Sequence, residues 1–140
     1  MKIENTMAGR PRLRFYKDFE TSDNHKATLH QDNEHKGRCW FIRSKIKIAP
    51  DKKHIQYISE NIKSITEKYL KENTKRYLVS VDYNREEKSI ENFNKKYKYT
   101  NITYDIIFIA KGTLDEIYEL MTPMVNDIDK KIQQIINTVI

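Results

Sequence analysis

The chain has 140 residues, of which 38% are hydrophobic and 33% are charged, and its formal net charge is +6. This length suits one domain with a hydrophobic core and is too short for two ordinary domains. No apolar run approaches the roughly 18 residues of a membrane helix, and no signal-peptide core follows Met1. We therefore expect an intracellular, cytoplasmic protein without a membrane partner. The single cysteine, Cys39, cannot form an internal disulfide.

The positive charge is concentrated in the first part of the chain. Residues 1–100 hold 23 Lys and Arg against 14 Asp and Glu, whereas residues 101–140 hold 3 against 6. A basic body of this kind attracts nucleic acid or another acidic partner. However, Lys, Ile and Asn are all abundant, and a genome rich in A and T raises the lysine content without any function. Only the placement of the charges separates these two interpretations.

The first 35 residues are predicted to form a basic N-terminal arm or an edge hairpin, and residues 36–140 a single α+β domain. Four potential metal ligands fall near this boundary, namely His25, His30, His35 and Cys39. Zinc sites use these residue types, but the regular spacing of the histidines follows neither face of a helix nor a face of a strand. We therefore favour a polar loop with incidental histidines, leave metal binding by these residues open, and predict no cofactor.

The arm contains the most distinctive short motif of the sequence. Arg10, Arg12 and Arg14 occupy alternate positions, so an extended chain directs all three guanidinium groups to one side. Positions 9 to 11, Gly-Arg-Pro, resemble the core of the AT-hook, Arg-Gly-Arg-Pro, with alanine at position 8 in place of the first arginine. The resemblance implies arginines bound in a narrow minor groove. The alternative is an edge strand whose arginines are solvated.

Residues 39–48 alternate between apolar and polar side chains, which predicts a half-buried strand. Its inward positions are Trp40, Ile42, Ile46 and Ile48. Its outward positions are Phe41, Arg43, Lys45 and Lys47. A sheet face that combines cations with an aromatic ring suits single-stranded nucleic acid, because rings stack on bases and cations hold phosphates. The alternative is a solvated face on which Phe41 packs beneath a loop.

A helix is predicted from about residue 49 to about residue 72. Proline at position 50 suits the first turn, and aspartate at position 51 complements the helix dipole. The apolar residues of this segment follow 3-4-3-4 spacing and form a single stripe. A second strand is predicted over 75–84, and the polar residues 85–94 are predicted to form a loop or a poorly ordered excursion.

Segment 99–110 has apolar residues on both alternating faces, with Ile107 and Ile109 on the second face. Such a strand is normally covered on both sides, so we expect it to lie centrally in a sheet. Three residues at its entry suit base stacking combined with phosphate contact, namely Tyr97, Lys98 and Tyr99. Tyrosines at the end of a strand are equally typical of ordinary sheet packing.

Two helices are predicted after this strand. Thr113 and Glu116 form a capping box at the start of the first helix. Pro123 disfavours a helix interior, because its ring removes a hydrogen bond and clashes with the preceding turn. A second helix is therefore predicted from this proline to the end of the chain. Its apolar stripe must be covered by the sheet or by a second copy, and the latter predicts a homodimer through residues 123–140.

The order of these elements indicates an α+β fold, a mostly antiparallel sheet with helices packed on one face. It corresponds to a split βαβ, ferredoxin-like order without a final strand, followed by two C-terminal helices. An RNA-recognition domain shares part of this order, but its aromatic-glycine signature is absent from residues 98–109.

We expect a non-enzymatic protein that binds DNA or RNA through the basic and aromatic sheet face and the arginine arm. In this hypothesis the cations hold phosphates and the rings stack on bases. The candidate contact residues are Arg10, Arg12, Arg14, Phe41, Arg43, Lys45, Lys47, Tyr97, Lys98 and Tyr99.

Two alternatives belong to other functional classes. One is a small protein-interaction module, for example a phage or plasmid factor that blocks a host protein. The other is a metal-dependent nuclease, since Asp82 followed by Glu86-Glu87-Lys88 loosely resembles an Asp…Glu-x-Lys site in which carboxylates hold the metal. The spacing is too short for that site, and the sequence has no nucleotide-binding glycine loop. Catalysis is therefore the least favoured of the three hypotheses.

Overall fold

The computed structural model describes residues 4–5, 11–12, 15–32, 39–48, 52–74, 76–90 and 95–138. Within these ranges, only the backbone is described for residues 4–5, 11–12, 52–53, 85–90, 95–98 and 138. In chain order the elements are β1 (Glu4–Asn5), β2 (Pro11–Arg12), β3 (Tyr16–Asp18), β4 (His25–Gln31), β5 (Cys39–Ile48), α1 (Lys52–Asn73), β6 (Tyr77–Ile90), β7 (Lys95–Ile109) and α2 (Leu114–Thr138). β1 pairs with β2, and the other five strands form a second sheet.

The five-stranded sheet is antiparallel throughout and has the order β3-β4-β5-β7-β6. Helix α1 contacts β6, β7 and α2, whereas α2 also contacts β3 and β4. Both helices pack on one side of the sheet, which we call the inner face, and the other side is the outer face. The predicted α+β class with a mostly antiparallel sheet is confirmed. The ferredoxin-like order and the division of the chain at residue 35 remain predictions.

The hydrophobic core lies between the inner face and the two helices. As the alternation predicts, the inward positions of β5 are buried, namely Trp40, Ile42, Ile46 and Ile48. The predicted stripe of α1 contributes Ile55, Ile58 and Ile62 to the same core. The indole N–H of Trp40 donates to the carbonyl oxygen of Ala110 at 3.1 Å, which ties β5 to the end of β7. Neither described helix has both the length and the apolar character that a membrane crossing requires.

The prediction of a loop over 85–94 is wrong for residues 85–90, which continue β6. β5 ends opposite Thr100, whereas β6 and β7 pair further, from Glu86 with Tyr99 to Ile90 with Lys95. This part of the hairpin therefore extends beyond the sheet as a two-stranded ribbon. Its residues lack the apolar alternation that identifies a strand in a sequence. The regular cross-strand pairing of the backbone maintains the extended conformation here. Residues 91–94 lie outside the described part of the chain.

Strand β7 lies inside the sheet, between β5 and β6, but it is not covered on both sides. Ile106 is completely buried, whereas Ile107 is 42% exposed and Ile109 is 46% exposed. The expectation of two-sided burial is therefore wrong. The physical reason is that both helices pack on the inner face, and the apolar residues on the outer face remain in contact with solvent.

The start of α2 matches the predicted capping box. The backbone N–H of Glu116 donates to Thr113 Oγ1 at 3.3 Å, and the backbone N–H of Thr113 donates to Glu116 Oε1 at 3.4 Å. These reciprocal bonds satisfy donors that a helix N-terminus otherwise leaves unpaired.

Pro123 lies inside α2, which is continuous from Leu114 to Thr138, so the prediction of two C-terminal helices is wrong. Proline costs a helix interior about 3 kcal/mol, whereas burying one large apolar side chain gains about 1.5–3 kcal/mol. The buried residues on both sides of the proline form one stripe: Ile117, Met121, Met124, Val125, Ile128, Ile132 and Ile135. Packing of this stripe within the chain outweighs the cost of the proline, and it gives no support to the predicted homodimer through 123–140.

Candidate functional site

The outer face carries the outward residues of β5 that the sequence predicts as nucleic-acid contacts. Phe41, Arg43, Lys45 and Lys47 alternate with the buried residues of β5, and the three cations are exposed. Both described helices lie on the inner face, so these side chains are on the side of the sheet away from the helices. Strand register brings them into rows with residues of the neighbouring strands.

The first row is largely apolar and crosses all five strands; we call it the apolar row. Its members are, in order across the sheet, Tyr16, His30, Phe41, Ile107 and Leu78. The rings of His30 and Phe41 stack with centroids 4.6 Å apart and an interplanar angle of 6°, and Tyr16 lies 6.0 Å from His30. Tyr16 and Leu78 are about three-fifths exposed. The row is therefore an exposed apolar and aromatic surface.

The next row contains an ion pair between neighbouring strands. Arg43 Nε lies 3.5 Å from Asp105 Oδ1, and the Arg43 guanidinium carbon lies 5.5 Å from the centroid of the Phe41 ring. Both partners of the ion pair are substantially exposed, so it contributes at most about 1 kcal/mol to stability. Arg43 is therefore partly neutralised, but its carboxylate partner is easily exchanged for another anion.

Three further cations form what we call the lysine cluster: Lys26, Lys45 and Lys47. Lys26 of β4 lies directly opposite Lys45 of β5, and Lys47 is two residues further along β5. All three are exposed, and no ion pair involves any of them among the side chains that the structure describes. Lys47 Nζ lies 4.0 Å from the centroid of the Tyr99 ring, a cation–π contact. The cluster therefore presents three exposed cations without ion pairs on the same face as the apolar row, from which the row of Arg43 and Asp105 separates it.

The structure thus brings together Phe41, Arg43, Lys45, Lys47 and Tyr99 of the predicted contact residues. Tyr97 and Lys98 belong to the ribbon of β6 and β7, and Arg12 belongs to β2, but their side chains are not among those described. Arg10 and Arg14 lie outside the described residues.

Sequence reasoning missed several members of this surface: Tyr16, Lys26, His30, Leu78 and Ile107. A short strand near residues 26–31 is predictable, and its alternation indicates that Lys26 and His30 share a face. Which residues of β5 they meet depends on the register between strands, and the sequence of one strand does not contain that information.

A second polar arrangement lies on the inner face, where His25 connects β4, β7 and α2. Its Nδ1 lies 2.9 Å from Asp129 Oδ1 and its Nε2 lies 2.7 Å from the hydroxyl of Tyr104. Because a carboxylate only accepts hydrogen bonds, the Nδ1–H donates to Asp129 and the Tyr104 hydroxyl donates to Nε2. Ser22 completes the network, since its backbone N–H and its hydroxyl both donate to Asp129, at 3.2 and 2.9 Å. We call these four residues the His25 network.

Burial governs the protonation of this network. It lowers the pKa of His25 below its ordinary value, and the hydrogen bond and charge of Asp129 offset this effect only in part. Burial acts to raise the pKa of Asp129, but the hydrogen bonds from His25 and Ser22 hold it below its usual range. Burial also raises the pKa of Tyr104. The network therefore contains a neutral imidazole, an ionised carboxylate and a protonated phenol, and the completely buried Tyr104 hydroxyl is not accessible to a substrate.

The potential metal ligands do not assemble in the described part of the chain. Within those ranges, no group of three or more His, Cys, Asp or Glu side chains is arranged to hold a metal ion. His25 belongs to the buried network, His30 belongs to the apolar row, and His35 lies outside the described residues. Burial, with a contribution from the charge of Asp32, raises the pKa of the Cys39 thiol, which disfavours the thiolate that binds metals.

Comparison with known proteins gives no relative from which a role could be transferred. No family model matches the chain, no curated protein matches it, and no solved structure matches it.

Proposed function

We propose that this chain is a non-enzymatic nucleic-acid-binding protein, and that a single strand of DNA or RNA lies along the outer face of the sheet. The observation that carries the proposal is the lysine cluster on the same face of the sheet as the apolar row. In this arrangement the lysines hold phosphates, while the rings of Tyr16, His30 and Phe41 stack on bases.

The lysine cluster has an energetic cost in the isolated chain. Lys26 and Lys45 are direct cross-strand neighbours, and like charges in such pairs destabilise a sheet. Bound phosphates would supply the missing negative charge, and the release of their counterions would favour association. A surface that is unfavourable in the free protein and favourable in a complex with a polyanion is typical of a nucleic-acid contact.

A single strand suits this surface better than a duplex does. The rings of the apolar row lie on an exposed sheet face, and only unpaired bases present their flat sides to such rings. The mutual stacking of His30 and Phe41 keeps two of the rings in place before binding. A preorganised platform reduces the conformational entropy lost on association.

Two finer features belong to the same proposal. The arm adds phosphate contacts through Arg10, Arg12 and Arg14, as the resemblance of its motif to the AT-hook suggests. β5 and β6 both pair with β7, which separates them, and this supports a split βαβ unit of the ferredoxin-like kind.

Fluorescence anisotropy with labelled single strands tests the proposal. We expect binding of oligothymidine or oligouridine of about 15 nucleotides, weaker binding of a duplex, and a steep loss of affinity between about 50 and 200 mM salt. Replacing Lys26, Lys45 and Lys47 by Gln should lower the slope of log affinity against log salt by about 2, since each phosphate contact on a single strand contributes about 0.7.

The matched control replaces three exposed helix lysines by Gln, namely Lys63, Lys68 and Lys130. It changes the net charge equally but leaves the outer face intact, so its affinity should remain close to that of the unaltered chain. Equal losses in the two triple variants would indicate a general charge effect and contradict the proposed site. Mg²⁺-dependent shortening of the oligonucleotide would contradict the non-enzymatic assignment.

One observation favours the alternative of a protein-interaction module. Leu78, Ile107 and Ile109 are exposed together on two neighbouring strands, and exposed apolar patches often mark protein contacts. Absence of oligonucleotide binding even at low salt would favour this alternative over the nucleic-acid proposal.

A further inference from the structure

A cleft of about 690 Å³ lies at one end of the sheet. Its walls are the C-terminal end of α1, the beginning of β6 and the residues that follow β7, and they include Lys71, Arg76 and Lys111. The volume falls in the range of ordinary small-ligand sites, about 300–1,000 Å³. Among the side chains that the structure describes, those predicted from the sequence as nucleic-acid contacts do not line this cleft.

The charged side chains of the cleft are mostly cationic. Lys71, Arg76 and Lys111 face a single carboxylate, that of Glu72, and no ion pair involves any of these four among the described side chains. The cleft therefore carries an excess of about two positive charges at neutral pH, when Lys and Arg are protonated and Glu is ionised.

Two backbone acceptors at the edge of the cleft are already bonded. At the end of α1, the carbonyl oxygen of Leu70 accepts from the N–H and the hydroxyl of Thr74, at 2.8 and 3.0 Å. The carbonyl oxygen of Ala110 accepts from the indole of Trp40. The three cations outnumber the carboxylate of Glu72 in the described lining, so an anion is the ligand that matches the charge of the cleft.

The cleft is continuous with the proposed strand-binding surface. Ile109 lines the cleft and lies on the outer face, two residues from Ile107 of the apolar row. Arg76 is two residues from Leu78 at the end of the same row, and its carbonyl oxygen accepts the N–H of Ile109 at 3.3 Å. A single strand of nucleic acid that follows the apolar row towards Ile109 would therefore end at the cleft.

We propose that the cleft binds the terminal phosphate of the single strand that lies on the outer face, an inference that rests on the proposed function. A terminal phosphomonoester carries a charge of about −1.5 to −2 at neutral pH, which matches the cleft better than the single charge of an internal phosphodiester does. The guanidinium of Arg76 is suited to bidentate contact with two phosphate oxygens.

Three labelled oligothymidines of equal length test this inference: one with a 5′-phosphate, one with a 3′-phosphate and one with hydroxyls at both ends. We expect one of the two phosphorylated ends to increase affinity roughly tenfold, as an added charge-assisted contact does. Replacing Arg76 and Lys111 together by Gln should abolish that increase and leave the affinity for the hydroxyl-ended strand nearly unchanged.

The matched control replaces Lys63 and Lys68 by Gln, which removes the same charge from the exposed surface of α1 and should preserve the tenfold preference. Circular dichroism and thermal melting of each variant distinguish loss of the contact from loss of the fold. A fully folded cleft variant that retains the preference would overturn the inference.

The outcomes separate this inference from the proposal on which it rests. Equal affinity for the three oligonucleotides would overturn the phosphate cleft and leave the outer-face site standing. If none of the three oligonucleotides binds, both the phosphate cleft and the outer-face site are overturned. This holds even if a free nucleoside monophosphate still binds to the cleft.

Discussion

The two faces of strand β7 are made of neighbouring residues, but they have opposite properties. Ile106 on the inner face is completely buried, whereas Ile107 on the outer face is 42% exposed. The inner face packs against both helices, and its main polar arrangement, the His25 network, pairs donors with acceptors across three elements. The outer face leaves the lysine cluster without ion pairs. This difference indicates that the inner face maintains the fold and that the outer face is available to a ligand.

The largest expected effect comes from truncating neighbouring isoleucines of β7. Ile106→Ala should lower the free energy of unfolding by about 2–5 kcal/mol, because it leaves a cavity in the core. Ile107→Ala should cost less than about 1 kcal/mol, since a half-exposed side chain forfeits little burial. Urea denaturation of the two variants measures the difference. Equal losses would mean that the outer face is packed as tightly as the inner one.

The next largest effect should come from the His25 network. Asp129→Ala removes the acceptor of three hydrogen bonds and leaves the buried N–H of His25 unpaired, which should cost about 1–3 kcal/mol. Asp127→Ala is the matched control on the same helix. It loses one hydrogen bond, from the hydroxyl of the partly buried Tyr69, and should cost less because it leaves no N–H of a completely buried ring unpaired. Urea denaturation measures the free energy of unfolding of both variants. A larger loss in Asp127→Ala than in Asp129→Ala would contradict a stabilising role of the His25 network.

Acidification should destabilise the chain through the same network. The folded pKa of His25 is lowered, so below about pH 6.5 the unfolded chain takes up a proton that the folded chain does not. Stability is therefore lost as the pH falls from about 6.5 towards the folded pKa, by at most about 1.4 kcal/mol per pH unit from this group. Asp129, whose folded pKa is also lowered, adds a further loss below about pH 3.9.

Thermal melting between pH 7 and pH 5 measures the His25 contribution. The groups that face His25 are Asp129 from α2 and Tyr104 from β7, and Asp129 remains ionised and Tyr104 protonated over this interval. His25→Gln should therefore flatten the decline in Tm, because it removes the buried group that takes up a proton only in the unfolded chain. A decline that persists fully in His25→Gln would show that another group is responsible.

The smallest expected effect is a gain of stability on the outer face. Lys45→Gln removes the repulsion from Lys26 opposite it and should raise the free energy of unfolding by roughly 0.2–0.5 kcal/mol at low ionic strength. The gain should vanish near 1 M salt, where the Debye length is about 3 Å. Lys63→Gln on α1 is the control and should show no such gain. If Lys45→Gln weakened oligonucleotide binding and also stabilised the chain, the lysine pair would serve a ligand at the expense of the fold.

Features that depend on local periodicity were predictable from the amino-acid sequence. The alternation in β5 predicts which of its side chains are buried and which face outwards, and the capping box predicts the start of α2, because neighbouring residues of one element decide these properties. Four of the predicted contact residues, Phe41, Arg43, Lys45 and Lys47, share one face for the same reason, whereas Tyr99 joins them through the pairing of β5 with β7.

Features that depend on partners distant in the chain became visible only in the folded molecule. The opposition of Lys26 and Lys45 and the order of the apolar row follow from strand register, and His25 meets Asp129 across 104 positions of sequence. Pro123 remains inside a helix because the core packs on both sides of it. Local patterns report the direction of a side chain, whereas pairing and packing energies, which are summed over the whole fold, decide what that side chain meets.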